Sequence, residues 1–392
     1  MNEIFIGGKR VLKVCVVGAG NIGHYLMALI GANDWIKVNV LTSNADGFSD
    51  TVSSVNVTTG EVTSGRVDIV STDPADVIPG SQMIIFAVPS NGYQTWADAV
   101  FPYVSDSTIL GFMPGSGGPE FVFKKFIDEK HCKIFGTQRV PSGTKVVERG
   151  RRVESLGNRK DMKIGAMPRS ITEDVCAFFR ETMKVNAVPL RNYLSVTLTP
   201  TNPVIHTSRL YGAFHDYKRG EGGWNERLHM YSNWDELSAK MLLGCDKELH
   251  QCCDKLSGMD LSAIVPLREH YEIDTMQGKD DIEKLTKKMR ILPFLKDFLP
   301  MRKDERGLFV PDTTTRYFHE DFPYGLCILK SFCCICGVAT PTMDEILKWY
   351  ENIMDVSYFN GAAFEGEDLQ SLPLPQHMGW KTCRDVISFY DR

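Results

Sequence analysis

The stretch Val11–His24, VLKVCVVGAGNIGH, constrains this chain more than any other. Val11 to Val17 is apolar except for Lys13 and reads as a buried strand. It runs into Gly18-Ala19-Gly20-Asn21-Ile22-Gly23, and a helical run, YLMALIGA, follows. Strand, G-x-G-x-x-G and helix in that order form a dinucleotide-binding fingerprint. Gly18 allows the tight turn, Gly20 lets backbone approach a pyrophosphate, and Gly23 lets helix and strand pack closely. The helix start turns free N–H groups and a positive dipole end towards the phosphates. The cofactor set expected here is therefore Gly18, Ala19, Gly20, Asn21, Ile22 and Gly23.

A chain of 392 residues is long for one hydrophobic core and suggests two domains. With 43% hydrophobic residues, 24% charged and a net charge of −5, the profile is that of a soluble globular protein. Asp and Glu outnumber Lys and Arg and no basic stripe occurs, which argues against nucleic acid. No apolar run reaches the ~18–20 residues needed to span a bilayer, so no membrane role is expected. The start, MNEIFIGGKR, lacks the form of a secretory signal. Eleven scattered cysteines then fit a reducing cytoplasm. Cys333 and Cys336 stand at C-x-x-C spacing, but within the apolar run CILKSFCCICGVA. Cysteine there reads as a small buried hydrophobe, and with no second pair to complete a zinc site no metal is expected.

Further strands are expected at Lys37–Leu41, Met83–Val88, Thr108–Phe112 and Lys133–Gly136. Thr42-Ser43-Asn44 follows the second strand, where the adenosine ribose is read. None of the three is acidic or basic, so Thr42 and Ser43 are assigned to the cofactor while NAD against NADP stays open. Asp46 falls slightly late for the usual acidic position. Val88 and Pro89 end the third strand at the carboxyl edge, where such sheets bind ligands. Met113–Gly118 is glycine-rich. Its Ser116 either bonds a substrate carboxylate or lies in a plain turn. Arg139 at the next strand exit is either a carboxylate fork or a solvated charge. The run TVSSVNVTTGEVTSGRVDIV reads as a β-hairpin insertion, and Arg149–Glu154 as a turn and edge strand.

Beyond about residue 190 the strand–helix alternation stops and the chain reads mostly helical. The expected architecture is α/β: an N-terminal Rossmann dinucleotide-binding domain (1–188) and a C-terminal all-α domain (189–392), with a site where the two meet. His206, in TNPVIH, is either a proton-transfer group or a histidine satisfied in the helical core. Arg316-Tyr317-Phe318-His319-Glu320-Asp321 offers a carboxylate to orient a histidine, or else an N-terminal cap for the next helix.

The GAGNIGH fingerprint, TNPVIH and TRYFHEDFPYG together resemble the opine dehydrogenase family, of the octopine and nopaline dehydrogenase type, over Val11 to about Tyr390. That resemblance implies an NAD- or NADP-dependent oxidoreductase acting on CH–NH bonds. It would condense an α-keto acid such as pyruvate with an amino acid to an N-(carboxyalkyl) amino acid, and reverse the reaction. It further implies His206 as catalytic histidine, Asp321 as its carboxylate partner and Arg316 as a contact to the cofactor pyrophosphate. Ser116 and Arg139 fall where the family holds the keto-acid carboxylate. Phe214–Trp234 would line the amino-acid pocket, although its aromatics also suit helix packing. Small-molecule substrates are the expected partners of a monomer or homodimer. A ketopantoate-reductase-like enzyme would place a lysine early in the second domain's first helix, and none occurs before Lys218. A dinucleotide sensor without catalysis would have no use for a His206–Asp321 pair.

Overall fold

The computed structural model describes residues 4–292 and 297–391. Five apolar runs form the parallel heart of the first unit: β1 (Lys13–Val17), β2 (Lys37–Leu41), and, further along the chain, Met83–Phe86, Ile109–Phe112 and Lys133–Thr137. Between β2 and Met83 lie β3 (Thr51–Asn56), β4 (Val62–Arg66) and β5 (Ile69–Ser71), so the later three are β6, β7 and β8. Beyond them come β9 (Thr144–Glu148), β10 (Arg152–Ser155), β11 (Met162–Met167) and β12 (Ala187–Pro189). The main sheet has the order β12-β11-β8-β7-β6-β1-β2-β5. All its pairs are parallel except β8 with β11. Every residue of β6 and β7 is buried, as a parallel sheet covered on both faces requires.

The expected hairpin insertion is β3–β4, but it belongs to a second sheet of order β9-β10-β3-β4. Arg152–Ser155 therefore lies inside that sheet and is not the edge strand its alternation suggests. It pairs with β9 on one side and, in parallel, with β3 on the other. Periodicity reports one buried face of a strand. It does not report how many neighbours the strand has. Helix α1 (Asn21–Ile30) packs against this sheet, and at Gly65 a methyl group would strike the Ala28 carbonyl at 2.4 Å.

Compact units divide at Thr197/Leu198, later than the expected 188/189, and the first unit regains the chain at Ser388. Packing accounts for both features. The short helix Leu194–Thr197 lies on β11, where Gly165 leaves room for Tyr193 and Val196. Thr197 Oγ1 and the Tyr390 hydroxyl both donate to Glu120 Oε1, at 2.5 and 2.6 Å. Glu120 is fully buried, and burial raises its carboxyl above the usual range.

The second unit, Leu198–Ile387, is built on helices: α2 (Asn202–Phe214), α3 (Glu236–Lys255), α4 (Asp281–Arg290), a π-helix (Tyr317–Leu326), α5 (Cys327–Ile335) and α6 (Pro341–Met354). Asp235 caps α3 by accepting from the Ser238 N–H at 2.6 Å. A two-stranded ribbon, Met301–Lys303 with Phe309–Pro311, is an addition the all-α expectation did not include. Cys333 is buried in α5, as read from its apolar run, whereas Cys334 is exposed.

Candidate active site

The fingerprint residues fold as their spacing demands. Gly18 stands at φ +100°, and a methyl group on it would meet the Ala87 carbonyl at 2.8 Å and Val88 Cγ1 at 2.5 Å. Val88 thus packs directly on the turn, and the Ala87 N–H donates to the Val17 carbonyl at 2.8 Å. Beside Gly20, by contrast, a methyl group would meet no protein atom within 4 Å. Gly20 is also the N-cap of α1 and carries no side-chain cap, so the first N–H groups of the helix are not taken by one. Open space at Gly20 and an uncapped helix start fit a pyrophosphate. Asn21 adds a structural duty, because its Oδ1 accepts from the Val146 N–H at 2.9 Å and ties the turn to β9. Thr42 is buried just past β2, whereas Ser43 and Pro89 are exposed.

Ser116 and Arg139 follow neighbouring parallel strands, β7 and β8, whose ends pair at Phe112 and Gly136. The Gly115 N–H donates to the Thr137 carbonyl at 2.9 Å and holds the two exits together. Both residues are half-buried.

In the second unit, His206 lies on α2 and Asp321 in the π-helix, each 6% exposed. His206 Nδ1 is 2.9 Å from Asp321 Oδ2. That contact makes Nδ1 the donor when the ring is neutral, and leaves Nε2 as the acceptor nitrogen. The ring of Tyr317 meets the imidazole edge-on at 4.9 Å. Asp321 is not the helix cap that its acidic surroundings suggest, because it sits inside a continuous π-helical turn that runs into α5. Pro323 has no N–H for an α-helical ladder, which accounts for the altered pitch. Two contacts hold the segment in place. Tyr350 donates to the Phe318 carbonyl at 2.8 Å, and Gly325 lies so close to Pro203 that a methyl group would approach its Cβ at 2.4 Å. Arg316 is largely exposed, 3.6 Å from Glu320 Oε2, with its guanidinium over the Tyr317 ring.

Arg209 in the second unit and His24 in the first escaped sequence reasoning, whereas Tyr231 falls in the Phe214–Trp234 stretch expected from the sequence to line the amino-acid pocket. Arg209, one turn beyond His206, is 1% exposed and donates to the Met230 carbonyl at 2.9 Å and to Asp235 Oδ2 at 2.7 Å. Burial lowers it to about 10, against the pull of Asp235. Tyr231 lies near enough to Tyr317 and Asp321 to feel both, and burial with these neighbours pushes its hydroxyl up. His24 is fully buried beside the fingerprint, its Nε2 accepting from the Gly150 N–H at 2.8 Å. Only its place directly after Gly23 could have drawn attention to it. The aromatics of Phe214–Trp234 mostly pack on one another, with Phe214 on Trp224 at 5.4 Å and Trp234 fully buried.

Residues 189–354, which hold both His206 and Asp321, match the family model of the NAD/NADP octopine/nopaline dehydrogenase alpha-helical domain. Over those residues the chain is similar to the octopine/nopaline dehydrogenase family. An opine dehydrogenase of Haliotis discus hannai is 28% identical over 97% of this chain and 99% of its own length. A tauropine dehydrogenase of Arabella iricolor is 26% identical over 96% of this chain and 100% of its own. Among solved structures, an octopine dehydrogenase with NADH and L-arginine superimposes with a TM-score of 0.81 at 24% identity, covering 97% of this chain and 98% of that one. That likeness shows a mixed α/β fold for the chain. Among the described residues no helix is long and apolar enough to cross a membrane.

Proposed function

We propose that this chain is an opine-type dehydrogenase, which reductively condenses an α-keto acid with the amino group of an amino acid and catalyses the reverse. The observation that carries the reading is the buried His206–Asp321 pair at 2.9 Å, inside the part of the chain that matches the family's helical domain.

The keto-acid carbonyl and the amine lose water to give an imine. One hydride and one proton then convert the imine to a secondary amine. A nicotinamide dinucleotide supplies the hydride when bound. His206 Nε2 handles the proton, giving it to the departing oxygen or moving it at the substrate nitrogen. Asp321 fixes the tautomer and steadies the imidazolium while the proton resides there. Tyr317 presses its ring edge on the imidazole and limits its rotation. Gly18–Gly23, at the uncapped start of α1, would hold the dinucleotide pyrophosphate, and Arg316 would supply it a guanidinium. Ser116 and Arg139 hold the keto-acid carboxylate, an arrangement supported by their neighbouring strand exits. We place the enzyme in a reducing compartment, in keeping with eleven free cysteines.

The test is oxidation of NADH and NADPH in a matrix of keto acids against amino acids, each component omitted in turn. Turnover that requires both organic substrates supports the reading. Turnover with the keto acid alone replaces it with a keto-acid reductase.

A further inference from the structure

Thr42-Ser43-Asn44, where the adenosine ribose is read, offers no charge of either sign. The fold brings one from elsewhere. Arg149 sits in the turn between β9 and β10, more than a hundred residues further on, and its guanidinium lies on the loop that follows β2. Nη2 donates to the Asn44 carbonyl, Nη1 to the Asp46 carbonyl at 3.4 Å, and the group stands over the Phe48 ring at 5.2 Å.

This placement is built rather than incidental. Gly150, the next residue, is held from two sides. Its N–H donates to His24 Nε2 at 2.8 Å, and its carbonyl accepts from the Ser49 N–H at 3.1 Å. His24 in turn reaches the Gly20 carbonyl through Nδ1 at 3.0 Å, so the fingerprint turn, the β9–β10 turn and the loop after β2 form one hydrogen-bonded assembly. Gly150 stands at φ +74°, and a methyl group on it would meet Phe48 Cα at 2.8 Å, so only glycine permits this approach.

Among the described residues, every partner of Arg149 is a carbonyl oxygen or a ring face, and none is a carboxylate. Asp46, the first acid after β2, gives Arg149 its carbonyl and not its side chain. The positive charge is therefore fixed but not neutralised, next to the exposed Ser43 and Asn44. An enzyme that selects a free ribose 2′-hydroxyl places a carboxylate here, whereas an arginine accommodates a 2′-phosphate.

We propose that Arg149 binds the 2′-phosphate of an NADP-type cofactor and makes this chain select the phosphorylated dinucleotide. The inference rests on the reading of Gly18–Gly23 as a dinucleotide site. A planar guanidinium pairs with phosphate oxygens through two parallel hydrogen bonds, and no carboxylate at 42–44 opposes the dianion. Ser43 adds a neutral donor at the rim.

The experiment is equilibrium titration of the full chain with NADPH, NADH, 2′,5′-ADP and 5′-ADP, by calorimetry, for the wild type and for Arg149→Ser and Arg149→Lys. The wild type is expected to bind NADPH over NADH, and 2′,5′-ADP over 5′-ADP, by about tenfold or more, in keeping with a charge-assisted bidentate pair. Arg149→Ser collapses both ratios towards one, and Arg149→Lys, which keeps the charge without the fork, falls between. Raised salt shrinks the wild-type ratio and leaves that of Arg149→Ser where it is. A wild type that prefers NADH, or an Arg149→Ser variant with an unchanged ratio, overturns the assignment while leaving the dinucleotide site standing. Failure of all four ligands to bind overturns the site itself, and the assignment with it.

Discussion

Replacing Asp321 with asparagine isolates the contribution of one charge. The substitution preserves shape, and both partners are buried, each 6% exposed and 2.9 Å apart. Two unit charges about 4 Å apart interact by about 4 kcal/mol at the effective dielectric of 20 that suits protein sites. In the proposed mechanism that energy acts while His206 carries the transferred proton, so its loss falls on the transition state. Asparagine also offers an amide N–H to Nδ1 and can select the wrong tautomer. At 1.36 kcal/mol per decade, Asp321→Asn should lower kcat by ~10²–10³-fold. The assay is steady-state condensation at saturating keto acid and amino acid, paired with cofactor titration and circular dichroism on the same sample. Fold and cofactor affinity should stand. A kcat within about tenfold of the wild type would refute the reasoning, because the carboxylate would then contribute little to proton transfer. Loss of cofactor affinity with kcat retained would also refute it, since Asp321 would then belong to binding.

Three further outcomes follow from other parts of the molecule. Gly20→Val should abolish dinucleotide binding in a calorimetric titration with the fold intact, because its side chain would fill space that the protein leaves open. His250 has both ring nitrogens facing oxygens, Nδ1 to the Asp246 carbonyl at 2.8 Å and Nε2 to the Ile264 carbonyl at 3.1 Å. Burial pulls its proton affinity down, but these bonds and the Asp246 carboxylate outweigh burial and hold it at about 9. Its stabilisation, at most about 3 kcal/mol, is thus fully present below its ordinary 6.5 and is lost as pH rises through about 9. His250→Ala should lower Tm well below pH 6.5 and matter less above 9, and a pH-independent decrement would contradict this. Glu120, raised by burial, favours the folded state in its protonated form, so its contribution falls as pH climbs above 4.5. Glu120→Gln should therefore raise Tm, relative to the wild type, more at pH 8 than at pH 5, as differential scanning calorimetry can check.

The strands that carry the dinucleotide end were legible because their signals are local. β1, β2, β6, β7 and β8 are short apolar runs closed by turn residues, and burial on both faces leaves a mark in each run separately. The second sheet was only half legible. Its β3–β4 hairpin is a local feature, while the joining of β10 to β3 is a contact between segments about a hundred residues apart. The return of the last helix to Glu120 is longer still, spanning 270 positions. Arg149 shows the same limit from the functional side. Its own neighbours, Glu148 to Arg152, read as a solvated turn, and nothing within that stretch points to the loop after β2.

His206 and Asp321 mark the boundary between reading and folding most clearly. They stand 115 positions apart, and each has an ordinary local account, as a core histidine and as a helix cap. What joins them is a helix of altered pitch, and pitch is set by constraints from several directions at once. Pro323 removes an N–H from within the segment, Gly325 lets it close upon Pro203 at the start of α2, and Tyr350 of α6 holds the Phe318 carbonyl. An α-helical turn in the same place would aim Asp321 along a different direction from its axis, since side-chain direction follows the residues per turn. The TRYFHEDFPYG motif therefore carries more than a carboxylate. It carries the proline and glycine that set where the carboxylate points, which explains why the whole motif, and not the acid alone, pointed to the family.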